Sequence, residues 1–208
     1  MNPLSLKDYH RLNAAKGWLD LGNQAEANRE IDMITPEVRV HPDVLEVRWR
    51  IHAHNKMWTA AFEIAIAICE LDPDRPFGWI HRAYALNELD RTQKACDVLQ
   101  EAVEKFPTLP VIPYSLACYT CRLQRPKEAW QWLEKAMARG DSRMITRLAL
   151  EEPDLKPLWS RLGIKLANRR AAFQSAPKQR GGIRSGIPGQ ARPKFVRETP
   201  GRRFRPAS

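Results

Sequence analysis

A spacing of 34 residues recurs along the chain and constrains its fold more than any other feature. Four alanines are separated by this interval: Ala27, Ala61, Ala95 and Ala129. Three further columns keep it: Ala15, Trp49, Ala83 and Ala117; Ile31, Ala65, Leu99 and Leu133; Ile34, Ile68, Ala102 and Ala136. A fixed period of this length predicts stacked repeats, each of which buries its apolar face against its neighbours.

Within one period, the apolar residues predict two helices joined by a short turn. In the third period, the apolar positions of residues 79–86 and of residues 95–102 both follow the i, i+4, i+7 spacing of one helix face. The polar stretch 87–91 separates them, and Pro107 follows the second helix. Small side chains at positions such as Ala95 let two helices approach closely. A sheet is not expected.

These residues resemble the tetratricopeptide repeat family. The signature positions in residues 76–109 are Trp79, Ala83, Leu86, Ala95, Leu99, Ala102 and Pro107. The resemblance covers roughly residues 8–141, with weaker copies on either side of the third unit. It implies an all-α, right-handed superhelical solenoid of about four helical hairpins, with units near 8–41, 42–75, 76–109 and 110–141.

Residues 142–173 are predicted to cap the solenoid, so that the repeat domain spans residues 1–173. The acidic-Pro-Asp-Leu segment at 151–155 is similar to the closing repeat of bacterial tetratricopeptide proteins. Five apolar residues in and after it fall on one stripe of a predicted capping helix: Leu155, Leu158, Trp159, Leu162 and Leu166. A solenoid requires a terminal element that is apolar inside and polar outside.

Residues 174–208 form a predicted disordered, basic tail. They contain five Gly and five Pro, nine Lys and Arg, and one acidic residue, Glu198. A segment of this composition buries too little apolar surface to offset its ordering entropy. Residues 1–160 carry a net charge near −2, so the excess of +10 describes the C-terminal part of the chain.

The interleaved cations, glycines and aromatic residues of the tail resemble segments that hold nucleic acid by phosphate neutralisation and stacking. The candidate residues for RNA, DNA or another polyanion are Arg180, Arg184, Arg192, Lys194, Arg202, Arg203 and Arg205. A solubilising tail, or a linker to an acidic protein or an anionic lipid surface, explains the same composition.

The resemblance implies a peptide-binding groove on the concave face, lined by the first helix of each unit. The candidate residues by register are Tyr9, Lys16, Glu46, Arg50, Phe77, Ile80, Tyr84, Asn87 and Tyr114. Leu12, Leu19, Asp43, Ala53, Val111, Cys118 and Cys121 share these rows. The aromatic residues are predicted anchors, and Arg50 and Asn87 are predicted polar selectors. The alternative is that the cap or the tail covers this face.

Several chemical classes find no support in the sequence. Only Lys16 and Arg50 are cationic in the two rows that a carboxylate clamp would use, and Glu46 opposes them. Cys118 and Cys121 form a CxxC without the second ligand pair that zinc requires, so they are predicted to be small groove or core residues. No phosphate loop, GxSxG or HExxH motif is present. We expect no catalytic residue, no metal and no cofactor.

The sequence therefore predicts a non-enzymatic scaffold that binds a protein or peptide in its groove. The rival prediction is an RNA-associated protein that binds through its tail, and a third is an assembly subunit that pairs through its outer faces. Four cysteines in 208 residues suit a reduced, cytoplasmic protein. The longest apolar run, residues 64–69, is far below the about 18 residues that a membrane span needs.

Overall fold

The computed structural model describes residues 3–163, and within this range the chain is helical and contains no strand. The helices are α1 (Leu6–Asp20), α2 (Gln24–Asp32), α3 (Pro42–His54), α4 (Trp58–Leu71), α5 (Pro76–Glu88), α6 (Thr92–Lys105), α7 (Val111–Arg122), α8 (Pro126–Arg139) and α9 (Ser142–Glu151). Short 3-10 segments occur at Pro36–Val38 and Pro153–Leu158. Consecutive helices pack as hairpins, and each hairpin also contacts the next one. The predicted all-α stack of hairpins is confirmed.

The 34-residue columns form the buried seams between the helices. Every member of the four columns is at most 4% exposed, and Trp49 is the least buried of them. The alanines of the first column, from Ala27 to Ala129, lie on the second helix of each hairpin and are completely buried. The sequence period thus reflects one steric requirement that is repeated in four hairpins.

The turn inside each hairpin repeats with the same period. Four residues adopt a positive φ of 57° to 75°: Gly22, Lys56, Asp90 and Gln124. The next residue donates its backbone N–H to the carbonyl five residues earlier, at 2.8 to 2.9 Å in all four turns. This left-handed closure satisfies the free carbonyls at the end of the first helix. The sequence did not reveal it, because three of the four residues are not glycine.

The cap differs from the single helix that the apolar stripe predicted. Residues 153–158 form a 3-10 segment, and an α-helix begins only at Trp159. Pro157 has no N–H and its ring clashes with the preceding turn, so an α-helix cannot run through this stretch. The burial pattern still holds for Leu155, Leu158 and Leu162, whereas Leu166 lies outside the described residues.

Two glycines in the first hairpin give a matched test of the left-handed turn. Gly22→Ala strains the backbone at φ 75° and should lower the free energy of unfolding by about 1 kcal/mol. Gly17→Ala lies within α1, where an added Cβ meets nothing within 4 Å, and should raise it by about 0.5–1 kcal/mol. Urea unfolding measures both. Equal effects of the two substitutions would contradict the role of the turn.

Candidate functional site

The predicted groove residues lie on α1, α3, α5 and α7, the first helices of the four hairpins. We call the surface carried by α1, α3 and α5 the groove face and define it by Tyr9, Lys16, Glu46, Arg50, Phe77, Ile80 and Tyr84. Tyr9 is 53% exposed, and the other six side chains are half-buried. Ile80 packs against the core of the third and fourth hairpins. Half-buried aromatic and apolar side chains of this kind can bind a partner without large rearrangement.

A cluster of rings holds the two aromatic residues of α5 in place. Trp49 of α3 contacts Phe77, His81 and Tyr84 edge-on, with ring centroids 5.8, 4.2 and 6.0 Å apart. Phe77 stacks on His81 at 3.7 Å, and Trp58 contacts Tyr84 at 5.6 Å. Edge-to-face and stacked rings restrict one another, so Phe77 and Tyr84 are held in fixed positions.

Trp49 is a site residue that the sequence analysis did not single out. It stands in a column where the other three hairpins carry alanine, at Ala15, Ala83 and Ala117. The one bulky residue in a column of small ones was the available signal. Its indole Nε1 is buried and has no hydrogen-bond partner within the described part of the chain.

Arg75, which directly precedes α5, binds two carboxylates of α3 and a third, Asp72, that follows α4. Its Nη1 lies 2.6 Å from Asp43 and 2.8 Å from Glu46, and its Nε donates to Asp72 at 3.0 Å. Partial burial opposes ionisation, but the hydrogen bonds to the three carboxylates raise the pKa of Arg75. Partial burial likewise opposes ionisation of Asp43, whose pKa is lowered by Arg75 and also by Lys16. Glu46 is thus already paired within the groove face.

His81 is a neutral ring in the aromatic cluster. Burial lowers its pKa to about 4, and the positive charge of Arg50 acts in the same direction. The Nδ1–H donates to the carbonyl oxygen of Phe77 at 2.9 Å, which opposes the shift. The ring stacks on Phe77 in its uncharged form, so its protonation would place a charge inside the cluster.

The fourth hairpin is covered by the chain itself. The 3-10 segment Pro153–Leu158 packs on α7, and Leu155 is completely buried. Cys118 and Cys121 are 7% and 4% exposed, and Tyr114 is half-buried. The sequence left open whether the cap covers the predicted groove. On α7 the cap does cover it. The two cysteines are small core residues, and no disulfide joins any of the four cysteines of the chain.

Burial raises the pKa of Cys118 and of Tyr114, and nearby carboxylates raise both further. Glu152 and Asp154 of the closing segment contribute to both shifts. A thiol with a raised pKa stays protonated at neutral pH and is a poor nucleophile.

Asn87 is a correction to the predicted groove. The sequence placed it as a polar selector, but its side chain is only 3% exposed. Its Oδ1 accepts a hydrogen bond from Thr92 Oγ1 at 3.1 Å, across the turn between α5 and α6. The residue stabilises that turn and does not present its amide to a partner.

Metal and membrane features are absent from the part of the chain that the structure describes. No group of three or more His, Cys, Asp or Glu side chains in residues 3–163 is placed to hold a metal ion. No helix in the same range combines the length and the apolar character needed to cross a bilayer. The basic residues predicted to bind nucleic acid, from Arg180 to Arg205, lie outside the described residues.

Comparison of the whole arrangement with solved structures gives clear matches. A thermophilic TPR protein from Thermus thermophilus superposes with a TM-score of 0.62 at 19% sequence identity, over 83% of this chain and 93% of that one. A MamA crystal structure gives a TM-score of 0.63 at 15% identity, over 86% and 98%. The chain has the tetratricopeptide repeat fold.

MamA from Desulfovibrio magneticus gives a similar result, with a TM-score of 0.61 at 15% identity over 83% of this chain and 100% of that one. At these identities the likeness concerns the fold. No family model and no curated protein matches the sequence. The TPR architecture that the 34-residue period predicted is thereby confirmed.

The aromatic cluster predicts a large effect of one substitution. Trp49→Ala should lower the free energy of unfolding by about 3–5 kcal/mol, because it removes a buried ring that three other rings contact. This loss is expected even though the other three hairpins carry alanine in this column. Urea unfolding tests it, with Trp132→Ala on α8 as the comparison, which should cost less because that ring is only half-buried. A loss below about 1 kcal/mol would contradict the role of the cluster.

His81 predicts a pH dependence of stability. Its pKa is about 4 when folded and about 6.5 when unfolded, so the unfolded chain binds more protons between these values. Stability is therefore complete above about pH 6.5 and falls on acidification. Between pH 7 and pH 5 the contribution of His81 should fall by about 2 kcal/mol.

Urea unfolding of wild type and His81→Phe at both pH values isolates this contribution, because other groups titrate equally in the two proteins. The variant keeps an apolar ring on Phe77 and should lose correspondingly less stability at pH 5. The same loss in both proteins would show that His81 does not govern this pH dependence.

Proposed function

We propose that the chain is a non-enzymatic scaffold that binds a protein partner, in the form of a peptide or helix, along the groove face. The observation that carries this proposal is the fixed pair of half-exposed rings, Phe77 and Tyr84, which the buried Trp49 supports from within. A partner that docks on rings already held in place loses less conformational entropy than one that must order them.

The rest of the face suits a chain-like partner. Tyr9 supplies an exposed aromatic ring on α1, and Lys16 and Arg50 supply cations on α1 and α3. Together with Phe77 and Tyr84 on α5, these groups lie on the first helices of three successive hairpins, as an extended peptide or a helix would require. A TPR fold offers such a continuous surface because each hairpin presents the same helix to the same side.

The non-enzymatic part of the proposal rests on the state of the candidate nucleophiles. Cys69, Cys96, Cys118 and Cys121 all have raised pKa values, in each case mainly because of burial. Protonated, covered thiols suit packing better than catalysis. We also place the protein in the cytoplasm, since all four thiols are free.

The nucleic-acid alternative rests on the composition of residues 174–208 alone, and the comparisons do not support it. An experiment can distinguish it from the groove proposal, because binding by a basic segment weakens steeply as the salt concentration rises and is lost when that segment is deleted.

Affinity capture from a lysate tests the groove proposal. The double change Tyr9→Ala and Tyr84→Ala should lower recovery of the partner at least tenfold, because aromatic anchors contribute most of the energy of such interfaces. Trp132→Ala on α8 is the control and should leave recovery unchanged. Thermal unfolding of each variant shows whether it remains folded at the capture temperature.

The capture is repeated after nuclease treatment and with residues 174–208 deleted. The groove proposal expects recovery to survive both. It is refuted when the double variant captures as well as wild type, and the tail alternative gains support when nuclease or the deletion alone abolishes recovery.

A further inference from the structure

A cleft where α4, α5 and α6 meet lies away from the groove face. It has a volume of about 340 Å³ and is lined by residues of these three helices and by Arg91, which directly precedes α6. Its residues on α5 are Arg82 and Leu86. Arg82 is two residues from both Ile80 and Tyr84, which is about 200° around the helix. The cleft and the groove face therefore use different sides of α5.

Charged side chains of both signs line this cleft: Arg82, Arg91, Lys94, Asp97 and Glu101. None of the three cations forms an ion pair or a side-chain hydrogen bond within residues 3–163, although the two carboxylates lie in the same cleft. Gln93 donates a hydrogen bond to Asp97 at 2.8 Å. The acidic residues of α4, Glu63 and Glu70, are exposed and are not part of the lining. The lining therefore carries a net charge of +1.

The 34-residue period shows which partner Arg82 lacks. Its equivalent in the preceding hairpin is Arg48 of α3, whose Nη2 lies 3.5 Å from Oδ1 of Asp32 at the end of α2. The residue of α4 that is equivalent to Asp32 is Ile66. An isoleucine cannot form an ion pair, so Arg82 keeps the cation of this pair and lacks its acid.

Arg82 is also partly withdrawn from water. Its side chain is half-buried, and its Nε is buried without a hydrogen-bond partner in the part of the chain that the structure describes. The Nε of Arg48 is buried in the same way, but the Nη2 of that residue reaches Asp32. In the following junction both charges are absent, because Leu116 and Gln100 stand at the equivalent positions. A carboxylate supplied from outside would compensate Arg82 for its lost hydration.

The rest of the lining is apolar and favours a peptide over a small anion. It consists of Phe62 on α4, Leu86 on α5 and Val98 on α6. Phe62 is half-buried, and the other two side chains are buried. An inorganic anion gains nothing from such side chains, whereas an amphipathic segment buries its own apolar residues on them. Arg91 and Lys94 would attract the negative charge of such a segment to the cleft.

We propose that this cleft binds an acidic amphipathic segment of a partner protein. A carboxylate of the segment pairs with Arg82, as Asp32 pairs with Arg48, and apolar side chains of the segment pack on the apolar part of the lining. Asp97 and Glu101 repel a segment that is acidic along its whole length, so the cleft favours one carboxylate placed against Arg82. The proposal goes beyond the scaffold function of the groove face, because it assigns a second binding surface.

Fluorescence anisotropy with three labelled peptides tests the proposal on the full chain. The peptides are otherwise uncharged, share two leucines one helical turn apart, and differ at one neighbouring position that carries glutamate, glutamine or lysine. The glutamate peptide should bind saturably, and the other two should bind about tenfold more weakly or worse, because they cannot form the charge-assisted pair. Absence of saturable binding of the glutamate peptide up to about 1 mM overturns the proposal.

Matched substitutions locate the binding. Arg82→Gln should weaken the glutamate peptide about tenfold, whereas Arg48→Gln, the same change in the preceding hairpin, should leave the affinity unchanged. Ile66→Asp places a carboxylate where Asp32 stands relative to Arg48, so it should compete for Arg82 and also weaken the peptide about tenfold. Ile66→Asn is its uncharged control and should bind like wild type. Thermal unfolding verifies that each variant is folded at the temperature of the assay.

The comparison between proteins removes the contribution of residues 174–208, whose positive charge attracts the glutamate peptide equally in wild type and in every variant. Equal affinities of wild type and Arg82→Gln overturn the proposal, as do equal affinities of the glutamate and glutamine peptides. A single-stranded oligonucleotide that loses affinity in Arg82→Gln, when the glutamate peptide does not, overturns it in favour of a phosphate-bearing partner. The lysate assay of the groove face is judged independently, because its variants leave this cleft unchanged.

Discussion

The packing of helices around completely buried alanines is the constraint on which the rest of this structure depends. Ala27, Ala61, Ala95 and Ala129 occupy the same register in the second helices of the four hairpins, and none of them is accessible to solvent. A larger side chain there would push the helices apart and misalign every later contact along the stack. The proposed groove face uses the first helices of three hairpins, α1, α3 and α5, and so depends on this packing being repeated in each hairpin.

This dependence explains how much of the fold the sequence could predict. Close packing requires small or apolar side chains at fixed positions, so the sequence alone was enough to predict the period and the buried columns. The turns could not be predicted, because Lys56, Asp90 and Gln124 adopt a left-handed backbone conformation for which these residue types have no strong preference. There the packing of the two helices determines the turn, and local preference yields to it. The 3-10 segment of the cap was missed because its apolar spacing also fits an α-helix.

The candidate site shows the same division. Register along the repeats predicted which residues lie on the first helices of the hairpins, since position in a repeat is a local property. Pairing between segments is not local: Arg75 reaches Glu46, 29 residues away, and the sequence offered no means of choosing that partner. The prediction for Asn87 was wrong for a similar reason, because Thr92, across the turn, donates a hydrogen bond to its amide oxygen.

Coverage of α7 by the segment after α9 limits where the proposed partner could bind. Leu155 is completely buried on α7, where the side chains Cys118 and Cys121 are small. A partner bound along α1, α3 and α5, as proposed, would therefore be stopped at α7 by the chain's own cap. The footprint of the proposed partner would then be at most three hairpins wide, and a long partner would be recognised by a short stretch of its sequence, with the remainder projecting away from the surface.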